Sequence, residues 1–146
     1  SPKGRPNNLF PILLKVASGE YRNLSIYGND WPTNDGTCIR DYIHVMDLAE
    51  AHVASLAFIL NSSPTLLTLN IGTGCGKSVL EVVETFKKVN NCDLRYNYSP
   101  RRKGDASYVV ANNNLALEKL NWTPKRDLNQ MCEDAWRWKQ NCLNSS

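Results

Sequence analysis

Two arginines and one aspartate, in separate parts of the sequence, carry side chains suited to bind a diphosphate and its attached sugar. Arg40 stands at the start of a short extended run, and Arg102 lies in a basic segment three residues before Asp105. Arginine can bind phosphate through two parallel hydrogen bonds, and aspartate can accept hydrogen bonds from paired sugar hydroxyls. Asn7 and Asn8 add two amides at the start of a predicted helix, where free backbone N–H groups favour an anion. Each pattern is also typical of a solvated surface, or of an arginine that simply pairs with its neighbouring aspartate.

The glycine-rich segment at residues 72–76 looks like a phosphate-binding loop but has the wrong spacing for one. A nucleoside-triphosphate loop needs glycine, four residues and then Gly-Lys-Ser/Thr, and its first glycine would have to replace Ile71. The dinucleotide pattern G-x-G-x-x-G fails as well, because its third glycine would fall on Lys77. Ser78 followed by Glu81 instead predicts a helix start with a capping box. We therefore expect a tight strand-to-helix turn, in which Gly-to-Ala substitutions harm folding before they harm binding.

The composition is that of an ordinary globular chain. The 146 residues are 42% hydrophobic and 21% charged, and no apolar run reaches the 18 residues that would predict a membrane helix. Seventeen basic against fourteen acidic residues give a net charge of +3, too mild to predict nucleic-acid binding but compatible with a small anionic ligand. The five cysteines form no C-x-x-C pair, and with two histidines they offer no zinc-ligand spacing. Reduced thiols in a cytosolic protein are expected.

Hydrophobic periodicity predicts that short strands alternate with helices. Helices are expected over residues 7–19, 47–60, 78–89, 112–120 and 127–138, and strands over residues 24–27, 41–46, 66–71 and 94–98. Asp47 with Glu50 predicts one helix cap and Asp127 another, while His44 is expected to make a structural hydrogen bond. The fold class is therefore α/β or α+β. So few short strands also predict a sheet that residues outside this chain would complete.

Several literal strings, taken in order, resemble the C-terminal part of the UDP-glucose 4-epimerase family. They are P-N-N-L at 6–9, G-N-D at 28–30, D-G-T at 35–37, R-D-Y-I-H-V-M-D-L-A at 40–49, N-I-G-T-G at 70–74 and P-R-R-K-G-D at 100–105. M-C-E-D-A-W-R-W at 131–138 matches the family's tail, so the resemblance covers nearly the whole chain. The string at 40–49 is shared more loosely by other extended short-chain dehydrogenase/reductase enzymes that act on nucleotide sugars.

The resemblance implies an enzyme of galactose metabolism that interconverts UDP-glucose and UDP-galactose with a tightly held NAD. In this family an N-terminal Rossmann domain binds the NAD and contains a Tyr-x-x-x-Lys pair, and the C-terminal lobe binds the UDP. No tyrosine of this chain has a lysine four residues on. Residues 1–146 are accordingly interpreted as one C-terminal UDP-sugar-binding lobe, a small mixed sheet with packed helices that is incomplete without the N-terminal domain. Alone, the lobe is expected to be inactive. The parent protein is expected to be a cytoplasmic homodimer with no nucleic-acid or membrane partner.

The resemblance also implies a set of UDP-sugar contacts. The matching residues, in chain order, are Asn7, Asn8, Leu9, Ser25, Ile26, Tyr27, Arg40, Arg102, Lys103, Gly104, Asp105 and Val109. The first three match contacts on the diphosphate side, and the next three match the short strand along the uracil. The two arginines match the diphosphate-binding pair, and the aspartate matches the acceptor for the ribose hydroxyls. Lys103 replaces a glutamate that is common in the family, which adds positive charge. Leu9 and Ile26 could equally serve only to fill the core.

Val109 matches a position that limits the room for an N-acetyl group in this family. Bacterial members tend to carry a bulky tyrosine there, and some animal members a small cysteine. The small Val109 therefore predicts that the parent enzyme also accepts UDP-N-acetylhexosamines. An alignment shifted by one residue would put Tyr108 at this position and reverse the expectation.

Two other functions stay open at this point. The chain could be the corresponding lobe of a related nucleotide-sugar dehydratase or decarboxylase, which N-terminal catalytic residues would distinguish. It could also be a standalone module that binds UDP without chemistry. In that case UDP would bind saturably to this chain, and Arg102→Ala would abolish the binding. Weak binding or none is favoured, because the absent domain would complete the pocket.

Overall fold

The computed structural model describes residues 9–62 and 68–145, in which short strands are interspersed with helices. The helices are α1 Leu9–Ala17, α2 Val45–Asn61, α3 Val79–Asn90, α4 Asn114–Leu120 and α5 Leu128–Asn144. The strands are β1 Leu24–Tyr27, β2 Ile39–Arg40, β3 Lys77–Ser78, β4 Tyr96–Ser99 and β5 Tyr108–Val109. The predicted α/β class is confirmed. None of the described helices is long and apolar enough to cross a membrane.

The strands form two small sheets. β1 and β4 pair in parallel, with Leu24 opposite Tyr96 and Tyr27 opposite Ser99. β2 lies between β3 and β5, antiparallel to β3 and parallel to β5. Parallel strands need a long crossover connection, and the chain between β1 and β4 includes both α2 and α3. Because the carboxyl ends of parallel strands meet at one edge, the loops that follow β1 and β4 are neighbours.

The main core is built from α1, β1, α3 and α5. On α3 the predicted apolar face is confirmed, since Val82, Val83 and Phe86 are fully buried there. Phe86 packs edge-on against Trp136 of α5, with the ring centroids 5.9 Å apart. A smaller core brings Ala51 of α2 together with α4 and Trp122.

Some predicted elements differ from the structure. The strand predicted over residues 41–46 is wrong, because β2 ends at Arg40 and α2 already begins at Val45. The strand predicted over residues 66–71 is not formed in its described part, residues 68–71. A short apolar run becomes a strand only beside a partner strand, and no described strand pairs with this one. Residues 66 and 67 lie outside the described residues.

The start of α2 is capped by His44 rather than by the predicted pair Asp47 and Glu50. The Nδ1 atom of His44 accepts a hydrogen bond from the backbone N–H of Met46 at 3.0 Å. Its Nε2 lies 2.7 Å from Oδ2 of Asp134 on α5. Because Nδ1 accepts, the ring proton is on Nε2 and is donated to the carboxylate. The expected structural hydrogen bond of His44 is therefore confirmed, and it joins α2 to α5.

Asp47 is fully buried and holds the segment that precedes α5. Its carboxylate accepts hydrogen bonds from the backbone N–H groups of Lys125 and Arg126, at 3.1 and 2.9 Å, and from the Arg126 guanidinium at 2.6 Å. Burial by itself would raise the pKa of Asp47, but these donors outweigh it and hold the pKa below its ordinary value of 3.8. Asp47 thus stabilises the fold as a carboxylate.

We predict that Asp47→Asn destabilises the protein by about 2 to 4 kcal/mol at pH 7, because the amide keeps only one of the two acceptor oxygens and removes the negative charge that pairs with Arg126. Since the folded-state pKa lies below the unfolded-state value of 3.8, the stabilisation is complete above that value. It is lost as the pH falls through the lower, folded-state pKa. Urea unfolding followed by circular dichroism at pH 7 and pH 3 measures both effects.

Asp93→Asn is the matched control for this prediction. Asp93 is 82% exposed, and its carboxylate is 3.9 Å from the Nε atom of Arg95, too far for a hydrogen bond. Loss of this charge is therefore expected to cost less than about 0.5 kcal/mol. The Asp47→Asn variant should lose less stability than the wild type between pH 7 and pH 3. Equal losses in the two proteins would contradict the role given to Asp47.

Candidate functional site

A cavity of about 290 Å³ opens where β1 meets α1 and the loop that follows β4. Seven of the predicted site residues line it, namely Leu9, Ser25, Ile26, Tyr27, Arg40, Arg102 and Asp105. The three other described candidates, Lys103, Gly104 and Val109, are not among the lining residues. Asn7 and Asn8 lie outside the described residues. The structure thus brings both arginines and the aspartate to one hollow.

Arg102 is held by an aromatic ring on one side and by a carboxylate on the other. Its guanidinium carbon lies 4.3 Å from the ring centroid of Tyr27, and its Nε donates to Oδ2 of Asp105 at 2.9 Å. The side chains of Arg102 and Asp105 are only 31% and 14% exposed. A guanidinium stacked and paired in this way keeps one orientation, and its Nη groups take no part in this ion pair.

Arg40 is nearly buried, at 9% exposure, and forms no ion pair with any described residue. Its Nη1 donates to the carbonyl of the preceding residue, Ile39, at 2.8 Å, which fixes the direction of the side chain. A buried cation without an acidic partner is costly, and an anion in the cavity would offset that cost. Arg40, Arg102 and Asp105 together leave one net positive charge at the cavity.

Tyr42 and Cys38 also line the cavity, and the sequence reasoning missed both. Burial raises the pKa of Tyr42 to about 12, so its hydroxyl remains a protonated hydrogen-bond donor at neutral pH. Burial likewise raises the pKa of the Cys38 thiol. Both residues alternate with Arg40 in the sequence, and side chains two apart in an extended segment lie on the same side. This alternation with Arg40 is the sequence feature that could have predicted both residues as cavity-lining.

The described lining has the composition of a small-molecule binding site. It includes no histidine, lysine or glutamate, and its one aspartate is engaged by Arg102. Leu24 and Ile26 supply a buried apolar floor, and Tyr27 supplies an aromatic face. An apolar floor with a few convergent polar groups is the usual form of a small-molecule site.

Val109 lies on the same side of its sheet as Arg40. The parallel register of β2 and β5 sets Arg40 opposite Val109 and Ile39 opposite Tyr108. Tyr108 lies near Gly76 together with Ile39, on the other side. Because side chains alternate along a strand, Val109 and not Tyr108 shares the side of the two cavity-lining residues Cys38 and Arg40.

The fold and this cavity define the class to which the chain belongs. The chain is a member of the family whose model is named GDP-mannose 4,6 dehydratase, which matches residues 2–135 and is an extended short-chain dehydrogenase/reductase family. Within that class the chain is similar to UDP-glucose 4-epimerases. It is 48% identical to the UDP-glucose 4-epimerase of Bacillus subtilis over 143 residues, which is 98% of this chain and 42% of that relative. The matched region is the C-terminal part of the relatives.

Solved structures lead to the same enzymes. The UDP-glucose 4-epimerase of Stenotrophomonas maltophila, solved with NAD and formylated UDP-arabinopyranose, superposes with a TM-score of 0.91 at 40% identity. The match covers 100% of this chain and 43% of that one. The UDP-Glc/GlcNAc 4-epimerase of Campylobacter jejuni superposes with a TM-score of 0.82 at 37% identity, over 94% of this chain and 42% of that one. The chain thus spans less than half the length of these relatives.

The glycine-rich loop at residues 72–76 is occupied by a side chain of the protein itself. The carboxylate of Asp41 accepts hydrogen bonds from the backbone N–H groups of Thr73 and Gly74, at 3.0 and 2.9 Å, and from the Thr73 hydroxyl. It also accepts from the N–H of Ala111 at 3.3 Å. The donors that would bind a phosphate in a phosphate-binding loop are therefore taken by Asp41.

We predict that Gly72→Ala lowers stability and leaves ligand affinity unchanged. A Cβ at Gly72 would come within 2.6 Å of Oδ2 of Asp41 and 2.7 Å of the Cβ of Ala111, an overlap expected to cost about 1 to 3 kcal/mol. Thermal melting and calorimetric titration with UDP, both on the full-length protein that contains this chain, measure the two quantities. Gly19→Ala is the control, because no atom lies within 4 Å of that Cβ, only its φ of +87° is strained, and Gly19 does not line the cavity. A normal melting temperature with lost UDP binding in Gly72→Ala would mean that the loop binds the ligand.

Proposed function

We propose that this chain is the UDP-sugar-binding portion of an NAD-dependent UDP-glucose 4-epimerase. The observation that carries the proposal is the meeting of Arg40, Arg102 and Asp105 at one cavity. The resemblance to the epimerase family assigns the diphosphate to the two arginines and the ribose hydroxyls to the aspartate. The chemistry of these side chains fits both roles. The 48% identical relative and the superposed epimerase of Stenotrophomonas maltophila support the same assignment.

In this proposal each part of the cavity holds one part of the nucleotide. Ser25, Ile26 and Tyr27 would lie along the uracil, at the edge of β1 that pairs with no described strand. Arg40 and Arg102 would hold the diphosphate, and the oxygen of Asp105 that does not pair with Arg102 would accept from the ribose. Further contacts on the diphosphate side are assigned to Asn7, Asn8, Leu9, Lys103 and Gly104. The Tyr42 hydroxyl offers one more donor beside Arg40.

The described residues do not fit NAD. The glycine-rich loop lacks the dinucleotide spacing, and its N–H groups bind Asp41. The hydride chemistry of NAD and the catalytic base would come from a domain outside this chain, and the sugar would be inverted at C4 through a 4-keto form. The part of this chain in that reaction is to anchor the UDP firmly while the hexose turns.

The exposed apolar face of α2 supports the proposal that a second domain packs against this chain. Val45, Val53, Leu56, Ile59 and Leu60 are each 58 to 74% exposed, an unusual amount of contiguous apolar surface for one helix. The relatives are more than twice as long as this chain, and their N-terminal part is the proposed occupant of this face.

The family's homodimer, its cytoplasmic location and its role in galactose metabolism belong to the same proposal. The lobe of a dehydratase or decarboxylase, and the standalone module, are not favoured, because the relatives at 45–48% identity are epimerases.

The proposed function predicts the effect of removing each arginine from the full-length protein that contains this chain. Arg102→Ala and Arg40→Ala should each raise the KM for UDP-galactose about 10- to 100-fold, because each removes a charged hydrogen-bond donor from the diphosphate. Arg95→Ala is the matched control, since Arg95 carries the same charge but is 74% exposed. Conversion of UDP-galactose to UDP-glucose, coupled to a dehydrogenase, is the readout. Absence of conversion by the unmodified protein would overturn the proposal, as would an unchanged KM in both variants.

We further propose that the full-length protein accepts UDP-N-acetylglucosamine, because the side chain at position 109 is small and lies on the Arg40 side of the sheet. The Campylobacter jejuni relative, named as a UDP-Glc/GlcNAc 4-epimerase, supports this reading. Val109→Tyr should lower turnover of the N-acetyl substrate at least about tenfold and leave UDP-galactose turnover within about threefold. Tyr108→Val, on the opposite side, is the control and should change neither. If Tyr108→Val alone increases turnover of the N-acetyl substrate, the specificity position is 108.

A further inference from the structure

Arg101 joins the two loops that carry the candidate site, from a position outside the cavity. Its Nε donates to Oδ1 of Asp30 at 2.9 Å, and its Nη2 donates to the backbone carbonyl of Asp30 at 2.7 Å. Its guanidinium carbon also lies 4.0 Å from the ring centroid of Trp31. Asp30 and Trp31 follow β1, and Arg101 follows β4, so these contacts tie one loop to the other.

The same contacts reach the backbone beside Tyr27. The indole N–H of Trp31 donates to the carbonyl of Tyr27 at 3.0 Å, and the N–H of Gly28 donates to the carbonyl of Ser99 at 2.7 Å. A Cβ on Gly28 would overlap the Trp31 indole and would lie 2.9 Å from Cγ of Arg101. The stacked Trp31 and Arg101 side chains are therefore packed directly on the backbone that presents Tyr27.

Arg101 and Arg102 are consecutive, and each stacks on a different aromatic ring. Arg101 lies over Trp31, outside the cavity, and Arg102 lies over Tyr27, which lines it. A shift of the backbone at Arg101 would therefore move Arg102 relative to its ring and to Asp105. The two arginines differ in surroundings, although they are identical in type.

The contacts of Arg101 contribute little to the stability of the fold. The side chains of Arg101 and Asp30 are 43% and 75% exposed, and ion pairs at such exposed positions add little to the free energy of unfolding. Two hydrogen bonds to Asp30 and a contact with the Trp31 ring nevertheless fix an orientation, which a single point charge does not. The geometry that the contacts impose matters more than their energy.

We propose that Arg101 is a positioning residue, which with Asp30 and Trp31 forms a clamp that fixes Tyr27 and Arg102 for nucleotide binding. This inference rests on the proposed function, and it adds a residue that does not line the cavity. The clamp acts before the ligand arrives, so it lowers the cost of ordering the site on binding.

The test compares Arg101→Ala, Arg101→Lys and Asp30→Asn in the full-length protein. We expect Arg101→Ala to raise the KM for UDP-galactose and the dissociation constant for UDP about tenfold, with kcat within about threefold of the wild type. Lysine keeps the charge but cannot form both hydrogen bonds and the stack, so Arg101→Lys should recover only a small part of the loss. Asp30→Asn should give an intermediate KM. Arg95→Ala removes the same charge from an exposed site and should leave KM unchanged.

The outcomes separate the clamp from its alternatives. Full recovery in Arg101→Lys would show that only charge matters, and an unchanged KM in Arg101→Ala would show that Arg101 positions nothing. A fall in melting temperature and kcat together with the rise in KM would assign Arg101 a merely structural role. Each of these results overturns the proposal. Arg102→Ala distinguishes these results from a failure of the proposed function. If the proposed function is wrong, the KM is unchanged in Arg102→Ala as well as in Arg101→Ala.

Discussion

The parallel pairing of β1 with β4 is the constraint on which the candidate site depends. It sets Tyr27 opposite Ser99, so the segments that follow the two strands leave the sheet at the same edge. Tyr27 and Arg102 are far apart in the sequence, and only this register brings the guanidinium to 4.3 Å from the ring. A slip of one residue would turn every side chain of β1 to the opposite side and separate the pair.

The second sheet places Arg40 at the cavity, but each of its strands has only two residues. So short a ladder is held mainly by carboxylates at its ends rather than by its own hydrogen bonds. Asp41, directly after β2, accepts from both the glycine-rich loop and Ala111 beyond β5. Asp35 binds the Ser78 hydroxyl at the start of α3 and accepts from the N–H of Thr37 at 2.9 Å. Burial by itself would raise the pKa of Asp35, but its Ser78 and Thr37 donors lower it below the ordinary value.

What could be predicted from the sequence is local, and what could not depends on partners far along the chain. The caps at Ser78 and Asp127 follow from adjacent residues and are confirmed, with Oγ and Oδ1 accepting from N–H groups three residues on. The resemblance gave Arg40, Arg102 and Asp105, and the structure gathers them. The cap at His44 was missed, because its second ring nitrogen is held by Asp134 from another helix. The expected strand at residues 68–71 fails for the same reason, since a strand needs a partner that no local pattern supplies.

The charges of the site explain why Arg102 is paired before any ligand binds, whereas Arg40 forms no ion pair within the described part of the chain. Two unpaired guanidinium groups facing one small cavity would repel each other and would both need to be ordered on binding. Asp105 neutralises and orients one of them, which also lies over the Tyr27 ring. Arg40 is instead held by the carbonyl of Ile39, which leaves its charge uncompensated. In the proposed function the diphosphate would supply the negative charge that Arg40 lacks, and Arg102 could bind it through its Nη groups while its Nε stays paired with Asp105. In the proposed function the carboxylate would then remain where a ribose hydroxyl could reach it, and the same three side chains would distinguish a nucleoside diphosphate from a simple anion.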